Sequence, residues 1–160
     1  MQFSKRLVAT LCLTVVAGVW IALGHGRGMP SPTVPWTPAE VVTPQTLAKE
    51  IAGPKSKRPM VVCVGFEFLY RGAHVLGATY KGPAMNPGGL QELRAWAHSI
   101  PKNTPVVIYC GCCPMDRCPN VRPAFKALRA AGLSHLHVLE IPHNFNDDWV
   151  QKGYPTQKNP

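Results

Sequence analysis

Short apolar runs recur along the chain from about residue 59 to residue 141. Three of them, residues 59–64, 105–109 and 136–141, are rich in valine, isoleucine and leucine and carry almost no charge. Runs of this length without polar alternation are typical of strands buried on both faces of a parallel sheet. The pattern therefore predicts at least three buried strands between residues 59 and 141.

Segments with helical spacing separate these runs. In residues 43–52, Leu47 and Ile51 lie four positions apart, and the segment begins with a capping threonine followed by proline. Residues 88–100 and 123–131 show the same periodicity. Helices that alternate with buried strands predict an α/β sandwich, with helices on both faces of a mainly parallel sheet. Ligands in such folds bind at the carboxyl ends of the strands.

Residues 1–24 differ from this alternating region and indicate a targeting segment. Lys5 and Arg6 precede an uncharged apolar run, residues 7–24, that is long for the core of a signal peptide and just long enough to cross a bilayer. We expect either a cleaved signal peptide or an uncleaved membrane anchor. In both cases the protein is exported, periplasmic or anchored facing away from the cytoplasm, and this segment is its expected contact with the membrane.

The 160-residue chain has room for one folded domain behind this segment. Residues 25–38 alternate proline and glycine with polar residues, which predicts an extended linker. The folded domain is then expected over residues 39–156. Lysine and arginine number 17 against 8 aspartate and glutamate, but they are mostly scattered. Together with the export signal, this favours a solvated basic surface and no nucleic-acid partner.

Candidate chemistry is concentrated in residues 110–118, which hold four of the 6 cysteines. Cys110 directly follows the strand predicted at residues 105–109, and a helix follows the loop. Inward N–H groups of such a loop and the positive end of the helix stabilise an anion or a thiolate. We therefore predict that this geometry, with Arg117 and Arg122, lowers the pKa of Cys110 and makes it the reactive nucleophile.

The other three thiols of the loop, Cys112, Cys113 and Cys118, leave several interpretations open. In an oxidising compartment they could resolve a persulfide or sulfenic acid on Cys110, or relay sulfur. With Cys110 they could instead bind a soft metal such as copper(I) or zinc. A structural disulfide, or no role, is the third interpretation. No other cofactor is expected.

The sequence resembles the rhodanese-like family of sulfurtransferases over about residues 44–155. Tyr109-Cys110 after an apolar strand is similar to the family's nucleophile position. The other matching landmarks are Tyr70 with residues 73–78, Ala131-Gly132-Leu133, His137-Val138-Leu139, Trp149 and Gly153-Tyr154-Pro155. The chain departs from the family at Cys63-Val64-Gly65, where Asp-Val-Arg is usual, and in a longer active-site loop.

The resemblance implies a three-layer sandwich and an enzyme that moves sulfane sulfur through a Cys110 persulfide. Its partners would be a small sulfur-containing donor such as thiosulfate and a thiophilic acceptor, which could be a thiol protein. Gly111, Arg117 and Arg122 would bind the substrate. The alternative is a thiol redox or soft-metal-binding module that uses the loop of residues 110–118 without sulfurtransferase turnover.

Overall fold

The computed structural model describes residues 33–158. The predicted signal or anchor, residues 1–24, lies outside the described residues, as does most of the predicted linker. In the part that is described, no helix is both long and apolar enough to cross a membrane.

The described part of the chain contains seven short strands. They are β1 (Val41–Val42), β2 (Met60–Cys63), β3 (His74–Val75), β4 (Thr79–Tyr80), β5 (Val106–Tyr109), β6 (Leu136–Leu139) and β7 (Thr156–Gln157). Five of them form a parallel sheet in the order β1-β6-β5-β2-β4, and β3 pairs with β7 antiparallel. The three strands predicted from apolar runs are therefore the central strands β2, β5 and β6.

Four α-helices cover the sheet. They are α1 (Pro44–Ala52), α2 (Glu67–Gly72), α3 (Pro87–Ser99) and α4 (Val121–Ala130). The start of α1 is fixed as the sequence predicts, because the Thr43 hydroxyl accepts a hydrogen bond from the Thr46 N–H and proline follows the cap. Single turns of tighter or wider helix occur at Pro38–Glu40, Lys55–Lys57 and Asn146–Val150.

The core consists of two apolar layers, one on each face of the sheet. Residues of α3 and α4 pack with Val106 and Ile108 on one face, while α1 packs with Val107 and Tyr109 on the other. The alternation along β5 follows from the two-residue period of a strand. The predicted three-layer α/β sandwich is confirmed.

The buried part of the chain begins before residue 39. Trp36, which falls in the segment predicted as linker, is only 6% exposed and packs edge-on against Phe125 with ring centroids 5.7 Å apart. Glu40 forms an ion pair with Arg129 nearby. The proline-rich composition around Trp36 predicts a linker, but a buried tryptophan contributes a large apolar surface to the core and holds this part of the chain against α4.

The functional end of the sheet is the carboxyl edge of β2 and β5. These strands are hydrogen-bonded neighbours, with Cys63 of β2 opposite Tyr109 of β5. Val64 continues the pairing, since its N–H donates to the Tyr109 carbonyl at 2.8 Å. Cys110 directly follows Tyr109, so the chain leaves β5 at Cys110, beside the end of β2.

Candidate active site

Cys110 lies at the carboxyl end of β5 and is only 3% exposed. Gly65, just beyond the end of β2, lies against it. A methyl group built on Gly65 would come within 2.6 Å of the Cys110 carbonyl oxygen and 2.7 Å of its Sγ. Real Cβ atoms do not approach other atoms that closely, so this position requires glycine. The departure at Cys63-Val64-Gly65 therefore gives Cys110 the space it occupies.

Asn120 is a fully buried polar residue that holds Cys110 from the other side. Its Oδ1 accepts a hydrogen bond from the Met85 N–H at 3.0 Å, and its Nδ2 donates to Cys110 Sγ at 3.5 Å. An asparagine directly before a helix would be expected to cap it, but this side chain forms no cap on α4. The role of Asn120 was not predicted from the sequence, where its place between the last loop cysteine and the helix is the one signal for it.

The loop brings its thiols together. Cys110 Sγ and Cys112 Sγ are 3.1 Å apart, and Cys112 Sγ and Cys113 Sγ are 3.0 Å apart. The Sγ atoms of Cys110, Cys112 and Cys118 all lie within 4.8 Å of one another. Every cysteine in the described part of the chain is a free thiol. The resolving or relay role predicted for Cys112, Cys113 and Cys118 stays a prediction, and these distances are compatible with it.

The acidic thiol of the cluster is Cys118. Its pKa is lowered to about 6, because its Sγ accepts a hydrogen bond from Cys110 and is further stabilised by the N–H groups of Asn120 and Val121 at the start of α4. The pKa of Cys110 is raised instead, by its hydrogen bond to Cys118 and by burial. The prediction of a lowered pKa at Cys110 is therefore wrong, because the helix N-terminus faces the last cysteine of the loop.

We expect this thiolate to make the stability of the metal-free, reduced protein depend on pH. Because the folded-state pKa of about 6 lies below that of an unfolded thiol, the stabilisation is present in mildly alkaline solution and is lost as pH falls through about 6. Ultraviolet thiolate absorbance and urea unfolding, each followed against pH, measure it. Cys118→Ser should remove the absorbance step and Cys113→Ser should keep it. If the thiolate absorbance of the wild-type protein first rose near pH 8.5, the ordinary thiol pKa, Cys118 would not be an acidic thiol.

The two arginines predicted to bind substrate lie in different surroundings. The side chain of Arg117 is 80% exposed, with Nε 4.0 Å from Asp116 Oδ2. Arg122 donates to the backbone carbonyl of Asp116 and so fastens the loop to the first turn of α4. Their role in holding an oxyanion stays a prediction.

Gly111, the third residue predicted to bind substrate, shapes the loop. It has a φ of +82°, and a methyl group there would come within 2.8 Å of Phe145 Cβ. Its carbonyl accepts a hydrogen bond from the Phe145 N–H at 3.0 Å. Glycine therefore lets the chain turn sharply after Cys110 while keeping contact with Phe145. The binding role itself stays a prediction.

A cleft of about 510 Å³ opens beside the cluster. Cys63, Cys110 and Cys112 line it near the sheet, and its walls are largely apolar. The aromatic lining residues are Phe68, Tyr70, Tyr109 and Phe145. Among the described residues that line the cleft, Lys158 carries the one charge. The site thus combines thiols with an apolar cavity large enough for a small organic molecule.

Two solved structures of the Alr3790 protein from Anabaena sp. share this architecture. The crystal structure matches with a TM-score of 0.57 at 19% identity, covering 74% of this chain and 92% of that chain. The solution structure, described as a rhodanese-like domain, matches with a TM-score of 0.54 at 20% identity and covers 74% of this chain and 79% of that chain. The fold is rhodanese-like.

A second rhodanese-like neighbour is the yeast protein Ygr203w from Saccharomyces cerevisiae. It matches with a TM-score of 0.52 at 16% identity, covering 76% of this chain and 88% of that chain. Its structure is described as a homolog of single-domain rhodanese and the Cdc25 phosphatase catalytic domain. No protein-family model and no curated protein sequence matches this chain. The rhodanese-like fold is thus shown by structure, in agreement with the resemblance of the sequence.

Proposed function

We propose that this chain is an exported rhodanese-like sulfurtransferase in which Cys110 carries sulfane sulfur as a persulfide. The observation that supports this most directly is the position of Cys110 Sγ, which lies at the carboxyl end of β5, beside a cleft and within reach of an amide donor. Parallel α/β sheets bind ligands at this edge. Export rests on the sequence of residues 1–24.

The neighbouring thiols provide a route for the proton. Cys110 donates its S–H to the Cys118 thiolate. As Cys110 Sγ attacks the outer sulfur of thiosulfate, a new S–S bond forms, the proton passes to Cys118, and the S–S bond of the donor breaks. The electron pair leaves on sulfite, and Cys110 becomes a persulfide anion. Cys118 thus acts as the base that activates the nucleophile.

The persulfide anion would be stabilised by donors that are already in place. Asn120 Nδ2 lies 3.5 Å from Cys110 Sγ, and the backbone N–H of Cys112 also faces this sulfur. Fixed donors in a water-poor site stabilise developing charge without reorganising. A thiophilic acceptor such as cyanide then takes the outer sulfur and leaves as thiocyanate, and the proton passes back from Cys118 to the Cys110 thiolate.

The walls of the cleft favour a sulfur donor of low charge, such as a monoanion with an organic body, over a dianionic phosphate ester. The yeast neighbour is related by its description to a phosphatase domain, and phosphoryl transfer needs cationic groups around a dianion. Lys158 is the one charged residue among the described lining residues, and the remaining surface is largely apolar. We therefore expect donors with an organic body, such as an aryl thiosulfonate, to react at least as well as thiosulfate.

The test is a comparison of full-length protein with two variants. Thiocyanate formation from cyanide is measured with thiosulfate and with benzenethiosulfonate as donors, under reducing, metal-free conditions. We expect the wild-type protein to turn over at least one donor, Cys110→Ser to lose turnover completely, and Cys113→Ser to keep most of it. No thiocyanate from either donor, or turnover that survives Cys110→Ser, would overturn the proposal.

A further inference from the structure

Three sulfur atoms surround a common point in the loop. The Sγ atoms of Cys110, Cys112 and Cys118 are mutually within 4.8 Å. An ion bound symmetrically by three thiolates at about 2.3 Å, the usual metal–sulfur distance, would place the sulfurs roughly 4 Å apart. The observed spacing needs only small side-chain rotations to reach this arrangement. The three residues come from one loop, so no strand or helix has to move.

The donor set is suited to a soft, low-coordinate ion. No carboxylate or imidazole belongs to the group among the described residues. Cys113 contacts Cys112 and Cys118 but lies outside the group of Sγ atoms that are all within 4.8 Å of one another, so three thiols of the loop surround a common point. Structural zinc sites usually have four protein ligands, whereas thiolates select copper(I) among soft metals. Three converging thiols therefore favour copper(I) over zinc.

The surroundings also fit a charged thiolate complex. Asn120 Nδ2 donates to Cys110 Sγ, and the N–H groups at the start of α4 face Cys118. These donors offset the negative charge that remains when one monovalent ion is held by several thiolates. Cys112 lines the cleft while Cys118 is fully buried. The ion can therefore enter from the cleft and be shielded from water once bound.

We propose that Cys110, Cys112 and Cys118 form a trigonal copper(I) site. Binding displaces thiol protons to solvent, forms three copper–sulfur bonds and changes no oxidation state. The proposal is independent of sulfur transfer, since it needs the three thiols and not a persulfide. Because Cys110 belongs to both sites, a bound copper ion would block sulfur transfer where that activity is present.

The experiment is an anaerobic titration of full-length, reduced protein with copper(I) buffered by bicinchoninate. We expect one copper per chain, and X-ray absorption should show three sulfur neighbours. Cys112→Ser, which alters the half-buried member of the group and is the least disruptive to folding, should weaken binding at least about 100-fold. Mutation of a residue that only hydrogen-bonds to a metal ligand already lowers metal affinity by about 10–100-fold, so loss of a ligand should have at least as large an effect. Cys118→Ser should behave in the same way.

Cys113→Ser is the matched control, because it removes an adjacent thiol outside the group. We expect it to bind copper(I) with wild-type stoichiometry and affinity. Circular dichroism is the control that checks the folding of each variant. The proposal is overturned if wild-type protein fails to compete with bicinchoninate, or if Cys113→Ser weakens binding as much as Cys112→Ser. Four sulfur neighbours, or zinc(II) displacing copper(I) in competition, would also overturn it.

Discussion

Gly65→Ala is expected to destabilise the fold by about 3 kcal/mol and to abolish the chemistry of Cys110. The added methyl group would lie 2.6 Å from the Cys110 carbonyl oxygen and 2.7 Å from Sγ. Neither atom can retreat easily, because the carbonyl belongs to the backbone at the end of β5 and Sγ is packed in the core. Urea unfolding measures the loss of stability. Iodoacetamide labelling and thiocyanate formation measure the loss of Cys110 reactivity.

Gly88→Ala is the matched control for this substitution. Gly88 lies in α3, where a methyl group would have no neighbour within 4 Å. Alanine there should leave activity unchanged and alter the free energy of unfolding by no more than about 0.5 kcal/mol, because Gly88 is exposed in the first turn of the helix. If Gly65→Ala were as stable and as reactive as Gly88→Ala, the close packing of Gly65 against Cys110 would have no functional importance.

Asn120→Asp is expected to lower the rate of sulfur transfer by about 100-fold or more, since removal of one donor from an anion site has effects of that size. The change keeps the shape of the side chain. It retains the acceptor for the Met85 N–H but replaces the donor to Cys110 Sγ with an oxygen. A carboxylate at this fully buried position would also repel the persulfide anion and cost about 3 kcal/mol of stability. Single-turnover persulfide formation and urea unfolding measure the two effects.

Asn103→Asp provides the comparison for Asn120→Asp, because the same chemical change occurs at an exposed position. It should alter stability by less than about 0.5 kcal/mol and leave the rate unchanged. A normal persulfide-forming rate in a folded Asn120→Asp protein would show that the amide donor contributes nothing to the reaction.

The central sheet could be predicted because its strands are apolar throughout. Most residues of β2, β5 and β6 are buried, so these strands appear in the sequence as short runs rich in valine, isoleucine and leucine. The two-residue strands β1, β3, β4 and β7 could not be found in this way, since a period of two cannot be recognised over so few residues. Trp36 was also missed, because the composition of its neighbours indicates a linker although its own side chain is buried.

The position of the candidate site was predictable, but its electrostatics were not. A cysteine directly after a buried strand must lie at the carboxyl edge of the sheet, which places Cys110 correctly. Which thiol faces the start of α4 depends on how the intervening loop folds, and the loop turns Cys118 towards those N–H groups. The contribution of Asn120 depends on contact with Met85, which is distant in sequence.

Two backbone hydrogen bonds help attach the loop to the rest of the molecule. The Met115 N–H donates to the Ile141 carbonyl beyond β6, and the Gly111 carbonyl accepts from the Phe145 N–H. Neither bond uses the side chain of Cys112 or Cys113, and both residues are only half-buried. These two cysteines can therefore be gained or lost without disturbing the sheet, and related chains could exchange one sulfur or metal chemistry for another by point mutation at these two positions.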